Sequence, residues 1–87
     1  MGDFKFTEKG FDHYVYWQSQ DKKTLKKINE LLHDIDRRGP MQGKGHPERL
    51  KHRHAYSRTI DEANRLIYEV DGDQITVESC KGHYEDK

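Results

Sequence analysis

The spacing of apolar side chains changes once along this chain. Between residues 8 and 38 they recur every three or four positions, and from residue 49 onward they alternate with polar ones. Phe4-Lys5-Phe6 already alternates, which predicts a short first strand. Thr7 is a suitable helix N-cap with Glu8 in the first turn, so a helix is expected over about 8–19. Phe11, Tyr14, Val15 and Gln18 fall on one face of it, Tyr16 and Trp17 widen the aromatic band, and core packing is the expected use of that band. Asp21 is a second N-cap. Leu25, Ile28, Leu32 and Ile35 then form an amphipathic stripe, with Lys22, Lys23, Lys26 and Lys27 on the other side. Gly39 and Pro40 stop this helix. Two helices joined so tightly predict a helical hairpin.

A loop with three glycines and two prolines follows at 39–47. Its Gly-Lys-Gly lacks the full pattern of a phosphate-binding loop. Strands are expected at 49–52, 56–60, 65–70 and 74–80, the last two joined by Asp71-Gly72-Asp73, a strong hairpin signal. Leu66, Tyr68 and Val70 share one face and should meet the helices, whereas Arg65, Ile67 and Glu69 point the other way. The order β-α-α-β-β-β-β is α+β: a small antiparallel sheet with a helical hairpin on one face and the other face open to hold an extended chain.

At 87 residues this is one domain, and with 31% hydrophobic residues its core is small. Aromatic content of 10% and zero net charge argue against disorder. No apolar run approaches the roughly 20 residues that span a bilayer, and no secretory leader is visible at the start. Cys80 is the only cysteine, so no internal disulfide forms. These features fit a cytoplasmic protein without a membrane partner.

Zero net charge conceals an asymmetry. The balance is −1 over residues 1–36, +6 over 37–58 and −5 over 59–87. The cationic middle segment holds a single carboxylate, Glu48, and such a patch attracts polyanions. RNA carries its own nucleophile, the 2′-hydroxyl. Cleaving it needs a base for that proton, a cation for the charge on the phosphorane, and an acid for the 5′-oxygen. Glu48, Arg65 on the outer sheet face and His83 after the last strand would suffice without a metal or other cofactor. Each also has a plain reading: Glu48 paired with Arg49 or Lys51 at the surface, Arg65 a solvated strand residue, His83 a tail histidine. His46, His52 and His54 match no zinc spacing. Cys80, in an apolar strand, has nothing to activate it as a nucleophile.

The stretches 14–40, GKGHPERLKH (43–52), YSRTIDEANRLIYEV (56–70) and CKGHY (80–84) together resemble the YoeB/Txe family of bacterial toxins, within the RelE/ParE superfamily. The resemblance runs from about Phe4 to Tyr84. It implies a ribosome-dependent endoribonuclease that cuts mRNA in the ribosomal A site, stops translation and is neutralised by a partner antitoxin. The family's catalytic glutamate falls on Glu48, its arginine on Arg65 and its near-terminal histidine on His83. Lys51, His52 and Tyr84 match further substrate-binding positions. The family often has Ser-Arg-Arg-Ile where this chain has Ser57-Arg58-Thr59-Ile60, so Arg58 or Arg53 is expected to serve as the phosphate-facing cation, with Lys44 from the glycine loop nearby. The resemblance further implies operator DNA as a partner of the toxin–antitoxin pair, and homodimerisation is compatible with it. Two alternatives stand beside it: a binding module like the superfamily's gyrase-inhibiting members, and a general RNA-binding protein.

Overall fold

The computed structural model describes residues 3–51 and 53–83. Its elements follow the expected order: β1 (Asp3–Phe6), α1 (Glu8–Gln20), α2 (Lys22–Arg38), β2 (Glu48–Arg49), β3 (Tyr56–Thr59), β4 (Arg65–Asp71) and β5 (Gln74–Ser79). Thr7 caps α1 by accepting from the Gly10 N–H, and Asp21 caps α2 by accepting from Lys23 and Thr24. Gly39 ends α2 with its N–H on the Ile35 carbonyl. β2 is shorter than expected, because the chain after Arg49 leaves the sheet and turns back through a Leu50 N–H to Ala55 carbonyl bond.

The strands form one sheet in the order β1-β5-β4-β3-β2. The expectation of a wholly antiparallel sheet is corrected at one edge, where β1 runs parallel to β5 with Phe4 opposite Ile75 and Phe6 opposite Val77. Alternation assigns side chains to faces but carries no strand direction, and no turn joins these two strands to fix it.

α2 supplies most of the helical side of the core. Ile28, Leu31, Leu32 and Ile35 are buried against Leu66, Tyr68, Ile75 and Val77, with Phe4, Phe6, Leu25 and Val70 closing the margins. α1 turns a different face inward from the one expected. Gly10 and Trp17 are buried and Tyr14 half-buried, whereas Phe11 and Val15 are 54% and 43% exposed. The cause is Gly10. A Cβ there would lie 2.2 Å from the Val77 carbonyl oxygen, so helix and strand meet backbone to backbone at this residue and set the helix's rotation. A glycine carries no hydrophobic signal, so the pattern pointed one residue away. Gly10→Ala should therefore destabilise the protein, by about 1–2 kcal/mol net, since overpacking outweighs the ~1 kcal/mol that alanine gives a helix. A thermal midpoint at or above that of the unaltered protein would show that α1 is not seated this way.

On the opposite face of the sheet Ile67 is buried beneath Leu50 and Ala55. The segment between β2 and β3 thus covers part of the face that the alternation left open, and it leaves a groove beside it.

Candidate active site

The chain's approach to the groove is fixed by a buried arginine on the other side of the sheet. Arg58 lies opposite Leu66 in β3–β4 pairing, so it points to the helical side of the sheet, where its side chain is fully buried. Every N–H of its guanidinium is used: Nε donates to the Tyr68 hydroxyl, Nη1 to Asp34 and the Lys44 carbonyl, Nη2 to the Gly39 and Gln42 carbonyls. The Lys44 N–H donates to Asp34 in turn, and the Tyr68 hydroxyl donates to the Pro40 carbonyl. Burial pushes the Asp34 carboxyl up, but the Lys44 N–H, Arg58 and Arg38 outweigh it and hold the group below its usual 3.8. The loop at 39–45 is therefore tied to β3 and α2 by its own backbone, and it delivers the chain to Glu48.

The sheet register then sorts the chemistry. Glu48 pairs with Ser57, Ser57 with Ile67 and Thr59 with Arg65, and residues opposite one another in antiparallel strands share a face. Glu48, Ser57, Thr59 and Arg65 thus all face away from the helices. His83 arrives from beyond β5, where the Arg65 N–H donates to the Gly82 carbonyl at 3.0 Å. Glu48, Arg49, Leu50, Lys51, Ser57, Arg65 and His83 line one groove of ≈ 380 Å³. Glu48, Lys51 and His83 are exposed to an incoming ligand, and Arg65 is half-buried at the floor. One carboxylate, one imidazole and cations around one space can accept a proton, donate one and neutralise a phosphate.

Not every residue nominated from the sequence is there. Arg58 is corrected from a phosphate-facing cation to a core residue, because period-two alternation sends it inward while its neighbour Thr59 faces out. Arg53 lies over β4 and β5, paired with Glu78 and 3.9 Å from Glu69, and does not line the groove. Lys44 is exposed on the glycine loop, and only its backbone is engaged in the Arg58 network. His52 and Tyr84 lie outside the described residues. Among the described residues no group of His, Cys, Asp and Glu is placed to hold a metal ion. Cys80 is fully buried, and burial pushes its thiol up to about 12, so it is no nucleophile at neutral pH. The sequence reading missed Asn64, whose amide accepts from the Gly82 N–H; the Asp61…Asn64 spacing of an Asx turn was its one visible signal.

The family model of the YoeB-like toxin of bacterial type II toxin–antitoxin systems matches residues 6–84. The chain belongs to this family. It is 47% identical over 81 residues to toxin YoeB of Escherichia coli K12, covering 91% of this chain and 95% of that one. The fold matches YoeB in a heterotetrameric YoeB–YefM toxin–antitoxin complex from Staphylococcus aureus with a TM-score of 0.90, at 46% identity over 97% of this chain and 99% of that one. A YoeB dimer from the same organism matches with a TM-score of 0.89, at 48% identity over 94% of this chain and 97% of that one. The β-α-α-β-β-β-β order read from the residues, and the RelE-like fold that the resemblance implied, are thus the family's own. No helix among the described residues is long and apolar enough to cross a membrane.

Proposed function

We propose that this YoeB-family toxin is a ribosome-dependent endoribonuclease that cuts mRNA in the A site and is held inactive by a cognate antitoxin. The observation that carries this reading is the convergence of Glu48, Arg65 and His83 on one groove from three separate places in the chain. Glu48 takes the proton of the RNA 2′-hydroxyl. The freed oxygen attacks the adjacent phosphorus, and the bond to the 5′-oxygen breaks as His83 hands that oxygen a proton. Arg65, helped by Lys51, stabilises the phosphorane charge. The products are a 2′,3′-cyclic phosphate and a free 5′-hydroxyl, and no step calls for a metal. Tyr84 is proposed to stack on a base and His52 to contact the substrate.

Dependence on the ribosome is proposed with the rest: the +6 segment at 37–58 draws RNA in at short range, while zero net charge gives the whole protein little pull at long range. The S. aureus relative assembled with YefM supports an antitoxin partner for this chain, and its dimeric form supports self-association. Operator binding by the toxin–antitoxin pair is proposed on the same footing.

Primer extension on an mRNA during in vitro translation tests the reading. New ends inside A-site codons are expected, absent without ribosomes, suppressed by the antitoxin, and bearing 5′-hydroxyls. Ends that carry only 5′-phosphates would reject the 2′-hydroxyl scheme. Undisturbed translation together with inhibited DNA gyrase would favour a binding module.

A further inference from the structure

His83 is exposed, so burial of its own side chain does not hold it in the groove. What fixes it is the backbone immediately before it. The Gly82 N–H donates to Asn64 Oδ1 at 2.8 Å, and the Gly82 carbonyl accepts from the Arg65 N–H at 3.0 Å. Two consecutive residues, 64 and 65, therefore grip both polar groups of the residue preceding His83. Asn64 is itself held. Its backbone N–H and Nδ2 donate to Asp61 at 2.8 and 3.0 Å, and its carbonyl accepts from the Ile60 N–H at 3.0 Å. Further back, the Cys80 N–H donates to His13 Nδ1 at 3.1 Å and the Cys80 carbonyl accepts from the Trp17 indole at 2.8 Å. Burial, with Lys9 and Lys81, holds His13 below its usual 6.5, which favours the neutral ring, and the Cys80 N–H selects Nδ1 as its acceptor.

We infer that Asn64 is a positioning residue: by gripping Gly82 it sets where His83 stands relative to Arg65. This inference rests on the nuclease reading above. The residue type is demanded by the geometry. The side chain at 64 must accept from Gly82 and donate to Asp61 at once, which an amide does. Aspartate accepts but cannot donate, and it would set a second charge beside Asp61. Alanine leaves the Gly82 N–H without its partner. Gly82, at φ +81°, is in a conformation that a loosened chain has no reason to keep. Arg65 stays in its strand either way, so the harm falls on the distance between acid and cation.

The test uses single-turnover cleavage of ribosome-bound mRNA together with amide hydrogen exchange at Gly82. Asn64→Ala and Asn64→Asp should each lower the maximal rate by about tenfold to 10²-fold with the half-saturating concentration little changed, the cost of a misplaced catalytic group. Both should lose protection at Gly82 while the β4 and β5 amides keep theirs. The exchanged pair Asp61→Asn with Asn64→Asp restores a donor facing an acceptor and should recover the rate. A merely structural residue would instead lose β4 and β5 protection along with the rate. An unchanged rate in Asn64→Ala overturns the inference, as does a slow variant with Gly82 still protected or an exchanged pair that stays slow. If the unaltered protein makes no cuts, the nuclease reading falls on its own, and the grip is then decided by Gly82 exchange alone: protection lost in Asn64→Ala upholds it, protection kept overturns it.

Discussion

Glu48→Gln should slow cleavage of ribosome-bound mRNA by about 10²- to 10⁴-fold, the contribution of one positioned acid or base. Glutamine keeps the length and planar end of the side chain but cannot carry the 2′-hydroxyl proton away. The residue sits in a two-residue strand with its side chain exposed, so the substitution removes no buried contact. Stability should therefore stay within about 0.5 kcal/mol of the original, which separates a chemical defect from a folding one. His83→Gln should behave alike for the leaving oxygen. The double variant should lose less than the product of the two, because acid and base act within one step. The check is a single-turnover time course on programmed ribosomes, with thermal melts of each variant alongside. A Glu48→Gln protein that cuts as fast as the original would remove this carboxylate from the chemistry.

Arg58→Leu should cost about 3–5 kcal/mol, the loss seen when one partner of a buried ion pair is removed. The side chain it replaces is fully buried, and Asp34 beside it is 2% exposed. Leucine would strip partners from the Asp34 carboxylate, three loop carbonyls and the Tyr68 hydroxyl at once. Against a total of about 5–15 kcal/mol for a small domain, much of the fold's margin would be gone. Arg58→Lys should recover only part of it, because an ammonium cannot span the planar fan of acceptors that the guanidinium meets. The sign with pH follows from Asp34. Its carboxyl titrates below 3.8 in the fold, so its contribution is present above that pH and is lost as the pH falls further. Denaturant melts at pH 7 measure the difference, and a loss under about 1 kcal/mol would show the pair to be dispensable.

Much of this was legible in the residues, and the failures have physical causes. Helix ends were readable because Thr7, Asp21 and Gly39 are capping residues with local partners. The inner faces of β4 and β5 were readable because alternation is a local signal. The direction of β1 was not, since its pairing with β5 joins distant parts of the chain through backbone groups that every sequence has. The seating of α1 was hidden for a related reason, its contact being made by the missing side chain of Gly10. In the groove, Glu48 and Arg65 followed from charge and face. Arg58 was misplaced because its charge was weighed and its parity along β3 was not: Tyr56 and Arg58 point inward, Ser57 and Thr59 outward. The outward place beside Arg58 is held by Thr59, and neither Arg58 nor Arg53 lines the groove. Asn64 escaped notice because its importance lies in one backbone N–H of a distant tail.

The way Arg58 grips the glycine loop bears on how such a protein can diverge. It reads the carbonyl oxygens of Gly39, Gln42 and Lys44, and those atoms do not change when side chains do. Met41, Gln42 and Lys44 are exposed, so substitutions there leave the anchor in place. Gly43 and Gly45 have no such freedom: both have positive φ, and a Cβ at Gly43 would fall 1.9 Å from Asp34 Oδ2. Lineages can thus rewrite the outer surface of this loop while the path of the chain towards Glu48 stays the same.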